Sequence, residues 1–420
     1  MTGRLHTLSN GVRVVCDPMP GLRTLALTVA VKGGARWEPE NRSGWSHLLE
    51  HLVFKGAGDM GARDIVERIE ADGGSINAAT GYERTSFDVR ALHGSLPLAL
   101  QVVSDLVFRP TLDPVEIERE KDVVAQEIAE AFDTPDDHVF EMAQTQAFAG
   151  QPLGRPILGS VESLAAADRA TMQGWRARLY SPDRMVVAVS GAVDEDELLN
   201  LSEHWFGEAA AAPADAPAPA AFTGGAASLS RRIEQANLVF QLPGVGASDA
   251  AAPAMRVFSE ILGGGMASRL FQTAREERGL AYAIDAWHDP YDDTGILGVY
   301  AGASADRAAE LATLTAQQLR QLAEDGPSEG ELSRARAVLK AGLWMSDESP
   351  ASRAGRMAAQ TLMFERPIPS QETADRIDAV TAEGVREAGR RALEPRRAAT
   401  AVLGPKGAAS AGRAFVAGLT

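Results

Sequence analysis

Apolar positions in the first half of the chain switch between two periods. Gly11–Cys16 and Thr24–Lys32 alternate or run apolar as strands do, with Asn10-Gly11 supplying turn chemistry before the first. Ser75–Ala79 and Thr85–Leu92 read the same way. Helical spacing marks Gly44–Phe54, Ala62–Asp72 (closed by Gly73-Gly74), Leu96–Phe108 and Pro114–Phe132, the last with Asp113 as N-cap and Pro114 at N1. Strands and helices are mixed without strict alternation. The pattern therefore predicts an α+β fold, helices packed on an antiparallel sheet, rather than a doubly wound one.

The pattern breaks at 209–227, where AAAAPADAPAPAAFTGGAA has no amphipathic period. This reads as a linker between a domain at 1–208 and a second at 228–420. The second half resembles a worn copy of the first: FDTPDDHVFEMAQTQAF at Phe132–Phe148 has a counterpart in SDESPASRAGRMAAQTLMF at Ser346–Phe364, and Pro135 and Met142 recur 215 residues later as Pro350 and Met357. Two homologous halves follow, neither of which needs to be stable without the other.

Composition narrows the function. A chain of 420 residues suggests two or three domains. Its 41 Lys and Arg against 57 Asp and Glu leave a formal charge of −16, which repels phosphate backbones and anionic lipid, so neither nucleic acid nor a membrane is expected as partner. The single cysteine, Cys16, excludes an intrachain disulfide. With no signal-peptide or transit pattern at Met1 and no apolar run near the roughly 20 residues that span a bilayer, a cytoplasmic protein is expected.

The chemistry is concentrated in His47-Leu48-Leu49-Glu50-His51. On a helix His47 and His51 project from one face and can reach a single Zn²⁺, with Glu50 beside it as a base for the attacking water. The bland alternative is two histidines that fall at i, i+4 by chance. A catalytic zinc site also needs a third protein ligand. Glu120 and Glu127 are two turns apart on Pro114–Phe132 and share a face with Val123, Val124 and Ile128, so that face is the buried one. A buried carboxylate is costly unless paired or bound to metal, which makes Glu127 the better candidate; Glu116, Glu118 and Glu130 show that this helix carries carboxylates freely. Asn77, Ala78 and Ala79, before a turn at Gly81, read as an edge strand able to add an extended peptide through its main chain, or simply as an edge covered by a loop. His6, His93, His138, His204 and His288 lack ligand spacing, and Gly263–Gly265 is no phosphate loop.

These residues resemble the pitrilysin/insulinase metallopeptidase family, in its branch of roughly 420-residue chains that includes the mitochondrial processing peptidase subunits and bacterial relatives. The inverted H-x-x-E-H motif is followed by Glu118-Arg-Glu-Lys-Asp-Val-Val-Ala-Gln-Glu127-Ile, which is similar to the family's third-ligand segment and places Glu127 76 residues after His51. The resemblance implies Glu127 as that ligand and Glu120 as its supporting acid. Ser75–Thr80, Leu153–Gly159, Tyr180-Ser-Pro182 and Gly263–Phe271 also match. It further implies that Arg275 and Tyr282, seven apart, hold the substrate carbonyl and the developing oxyanion; the residues alone favour a helix-surface ion pair with Glu276 or Glu277 and a strand core residue. No H-x-x-E-H occurs in the second half. What the resemblance implies is a zinc-dependent endopeptidase for unstructured peptides or unfolded segments, its halves closing as a clamshell. A homodimer with composite sites is the expected assembly, a paralogous partner chain being the other. The rival reading is a non-catalytic or partner-dependent subunit of a heterodimeric processing peptidase.

Overall fold

The computed structural model describes residues 3–212 and 216–420. Strands β1 (Arg4–Thr7), β2 (Arg13–Pro18), β3 (Thr24–Lys32), β4 (Ser75–Thr80), β5 (Arg84–Leu92) and β6 (Met185–Gly191) form one sheet, ordered β1-β2-β6-β3-β5-β4. Between and after them run α1 (Trp45–Val53), α2 (Ala62–Ala71), α3 (Leu96–Phe108), α4 (Pro114–Asp133), α5 (Pro135–Ala147), α6 (Val161–Ala165), α7 (Arg169–Leu179) and α8 (Glu195–Phe206). A second sheet is built from β7 (Gly225–Ser230), β8 (Gln235–Gly244), β9 (Ala283–Pro290), β10 (Gly295–Ser304) and β11 (Ala399–Gly404), ordered β9-β10-β8-β11-β7. The helices of the second half of the chain are α9 (Ala252–Gly263), α10 (Ala308–Asp325), α11 (Glu329–Asp347), α12 (Pro350–Phe364), α13 (Ser370–Asp378), α14 (Ala382–Ala392) and α15 (Ala411–Gly418), with a π-helical stretch at Phe271–Glu277. Among the described residues no helix is long and apolar enough to cross a membrane.

The duplication read from two short segments extends to the whole topology. In the first sheet β2 pairs parallel with β6, β6 and β5 pair antiparallel with β3, and β4 closes the edge antiparallel to β5. The second sheet repeats this with β7, β11, β8, β10 and β9 in the same order and directions. Each open sheet is therefore antiparallel apart from one parallel pair. That pair joins a strand near the start of each repeat to one near its end, and parallel strands require such a long crossover.

The compact units differ from the contiguous halves 1–208 and 228–420. One comprises the described residues through Ile128 with Pro156–Pro217 and Leu343–Glu372; the other comprises Ala129–Arg155, Ala218–Gly342 and Thr373–Thr420. The exchanged pieces are α5 and α12, the segments whose likeness revealed the repeat. In the first unit Met357, Ala358 and Leu362 of α12 pack on Val15, Ala30, Val186 and Ala188. Leu25, Leu27, Val29, Val187 and Val189 face the other way, into the core beneath α1 and α3. In the second unit Val139 and Ala143 of α5 cover Val239, Ala401 and Leu403 in the same manner. With both faces covered, β6 and β11 are buried at every position, which is why they read as continuous apolar runs. Arg353 of α12 donates two hydrogen bonds of 2.6 Å each to Asp17, which is 1% exposed and also accepts from Ser190 Oγ at 2.8 Å.

The expected linker is only partly one. Residues 213–215 lie outside the described residues, but Ala221 exchanges two hydrogen bonds with Gln151, Thr223 N–H donates to Ala147, and Phe222 is buried against Phe148. At Gly225 the chain is already in strand β7. Low-complexity composition concealed this, because the anchoring is main-chain bonding and one aromatic contact. Cys16 is fully buried, and desolvation pushes its thiol up to about 12, so it is an inert core residue.

Candidate metal centre

Helix α1 is started by a residue outside its own turn. Gly44 sits at φ 87°, and its missing Cβ would lie 2.4 Å from the Leu158 carbonyl oxygen, so only glycine fits there. The first N–H groups of the helix are satisfied by the buried Glu38 carboxylate, which accepts from Gly44 N–H at 2.8 Å and Ser46 N–H at 2.6 Å. A carboxylate there also suits the positive end of the helix dipole. Leu48, Leu49, Leu52 and Val53 are buried in the sheet core, which leaves His47, Glu50 and His51 on the opposite, half-buried face. Helix α4 begins with Asp113 capping Val115 N–H at 2.7 Å. Its buried face carries Ile117, Glu120 and Val124, with Glu127 one turn further along.

The two helices bring His47, His51 and Glu127 together, with ligand-capable atoms all within 4.8 Å of one another. Glu127 Oε2 stands 3.8 Å from His47 Nε2 and 3.6 Å from His51 Nε2. Ligands about 2 Å from a tetrahedral zinc stand roughly 3.3 Å apart, so the group fits such an ion. Glu127 Oε2 and His47 Nδ1 are buried and have no hydrogen-bond partner. Burial, with His51 adding to it, lowers the His47 pKa to about 4, so that ring stays neutral with a lone pair free for a metal.

Glu120 takes a different place. It is 1% exposed, and its oxygens meet His51 Nδ1 at 3.1 Å and Lys55 Nζ at 2.9 Å. Bonding at Nδ1 turns Nε2 of His51 toward Glu127, the usual way an outer carboxylate orients a metal-binding imidazole. Glu50 Oε2 is buried without a partner; burial holds this carboxyl above its ordinary range, against a hydrogen bond from Thr80. Thr80 is the last residue of β4, the free edge of the first sheet. Along that edge Asn77 and Ala79 are exposed, whereas the Ala78 side chain points into the core and offers only its main chain.

Arg275 and Tyr282 belong to the second unit. Arg275 lies in the π-helical turn, its guanidinium 4.7 Å from the Phe271 ring centroid, and makes no ion pair with Glu276 or Glu277. Tyr282 precedes β9 and is 63% exposed, so it is not a core residue. Packing therefore consumes neither side chain. Sequence reasoning missed Glu38, Lys55 and Thr80. None left a signal in the pattern: Lys55 lies just past α1 and pairs with Glu120 on α4, Glu38 reaches forward from the loop before α1, and Thr80 meets Glu50 from a different element.

The chain matches the family described as Insulinase (Peptidase family M16) over residues 13–161 and the Peptidase M16 inactive domain over 166–339. It is 37% identical to an uncharacterized zinc protease of Mycobacterium bovis over 410 residues, covering 96% of this chain and 93% of that one, and 33% identical to one of Bacillus subtilis, covering 96% and 98%. A protease from Helicobacter pylori has the same fold, with a TM-score of 0.87 at 19% identity and coverage of 96% and 99%. So does a chain of Complex III2 from Candida albicans, at TM-score 0.84, 19% identity and 99% coverage of both. The chain belongs to the M16 peptidase family.

Proposed function

We propose that this protein is a zinc-dependent endopeptidase that hydrolyses unstructured peptides or unfolded segments. The observation that carries the reading is the convergence of His47, His51 and Glu127, with an unpartnered Glu50 carboxylate beside them. When bound, zinc supplies Lewis-acid polarisation of the scissile carbonyl and acidifies the attacking water. Glu50 takes a proton from that water as its oxygen bonds to the carbonyl carbon, and delivers it to the amide nitrogen as the C–N bond breaks. Its raised pKa suits both steps, because the group can accept the proton and then release it. Asn77, Ala78 and Ala79 hold the substrate as an added strand on the edge that ends beside Glu50. Arg275 and Tyr282 are the proposed donors to the carbonyl oxygen.

The inactive-domain description of residues 166–339 suits a second half that supports rather than performs chemistry, and it keeps the partner-dependent subunit as the rival. Cleavage of a denatured peptide library, mapped by mass spectrometry with and without chelator, separates the two. The expected result is chelator-sensitive cleavage that Glu50→Gln abolishes while about one zinc per chain is retained. Absence of cleavage by the zinc-loaded parent chain alone favours the partner-dependent subunit. Loss of zinc in Glu50→Gln would make that residue a ligand and overturn its assigned role.

A further inference from the structure

We infer that Arg256 is a binding site for a peptide carboxylate, set in the second unit at the position that carries a metal ligand in the first. The inference rests on the peptidase reading above and extends it to substrate class. The duplication supplies the residue correspondence. Leu48, Leu49, Leu52 and Val53 of α1 and Val257, Phe258, Ile261 and Leu262 of α9 are all buried and share one offset of 209 residues. That register puts Arg256 where His47 stands, Ser259 at Glu50 and Glu260 at His51. On the second pair of helices the 215-residue offset matches buried Ile117 and Val124 with Leu332 and Leu339, and puts Ala335 at Glu120 and Gly342 at Glu127. Three carboxylates have become serine, alanine and glycine, and an imidazole has become a guanidinium.

This cation has no assigned use within the second unit. Among the described residues the Arg256 guanidinium makes no ion pair or hydrogen bond, and Glu260, one turn on, is the only acid that bears on it. The Arg256 charge reaches β9, where it adds to the burial that holds the His288 pKa down. Arg256 is exposed on the α9 face, beside buried Met255 and Val257, and an open guanidinium with no close partner offers its forked donors to a planar anion; a carboxylate is the anion a peptide carries. Access comes from the topology: α9 packs against β9, the free edge of its sheet, as α1 packs against β4. An extended chain on that edge passes the α9 face.

The test measures binding, with zinc-loaded Glu50→Gln protein so that nothing is cleaved. Three fluorescent unstructured peptides are compared by anisotropy: one with glutamates spaced along it and an amidated C-terminus, its all-glutamine amide, and the all-glutamine peptide with a free C-terminus. At least one acidic peptide is expected to bind about tenfold tighter than the neutral amide, and whichever does so distinguishes side chain from C-terminus as the source. Adding Arg256→Gln should erase the difference without weakening the neutral peptide, and Arg256→Lys should restore part of it. A preference that survives Arg256→Gln, an equal loss for all three peptides, or no preference in the parent overturns the inference. If the parent binds none of the three, the peptidase reading itself is what fails.

Discussion

Glu120 and Glu127 share a face of α4 but differ in what they touch. Glu127 points an unpartnered oxygen at two imidazoles, whereas Glu120 is already engaged by His51 and Lys55. Glu127→Gln is therefore expected to lose zinc outright, read by atomic emission on the purified protein. Glu120→Gln should keep a metal site weakened in affinity or rate by about 10- to 100-fold, the usual cost of an outer-shell change. Equal zinc loss in both variants would reverse the order of the two shells. That both carboxylates lie on one face of α4 was legible from their spacing, but their order came from the family resemblance: burial cost alone would favour Glu120, which is the more deeply buried of the two. Lys55 and Thr80 were not legible, because their partners lie on other elements.

At the scale of elements, the exchanged helices are the feature with the clearest energetic consequence. α12 closes the second face of the first sheet through a small apolar contact and the Arg353–Asp17 pair. Replacing Arg353 by Met leaves Asp17, at 1% exposure, with Ser190 as its remaining side-chain donor. Breaking a buried pair from one side costs about 3–5 kcal/mol, so Arg353→Met should lower the thermal midpoint in calorimetry by several degrees. A change within error would mean that solvent reaches Asp17. The likeness of Pro135–Ala147 to Pro350–Phe364 was visible in the sequence, but the exchange was not. Periodicity reports which face of a helix is buried, and either sheet could satisfy it.

For the molecule as a whole, the metal group lies in one compact unit and the Arg275/Tyr282 pair in the other. We expect a homodimer in which each chain's Arg275 and Tyr282 serve its partner's zinc group, so that two composite sites form. Glu50→Gln and Tyr282→Phe proteins should each be nearly inactive. When they are mixed under conditions of demonstrated subunit exchange, peptide cleavage should rise above the sum of the parents, because mixed dimers contain one site with neither defect. Complementation that never exceeds that sum rules out completion in trans.

The sequence by itself determined which residues make up the candidate metal group. His47, Glu50 and His51 are local to one helix turn, and the carboxylates of α4 are two turns apart, so helical geometry alone aligned each set. It also carried the α+β class and the duplication, because strand and helix periods survive divergence. The tertiary structure decided what depends on contact between distant segments. Glu38 starts α1, Glu120 and Lys55 orient His51, and α5 and α12 change units. In each case the partner lies on another element, and a one-dimensional pattern of polar and apolar residues records only that a group is buried, not what it is buried against.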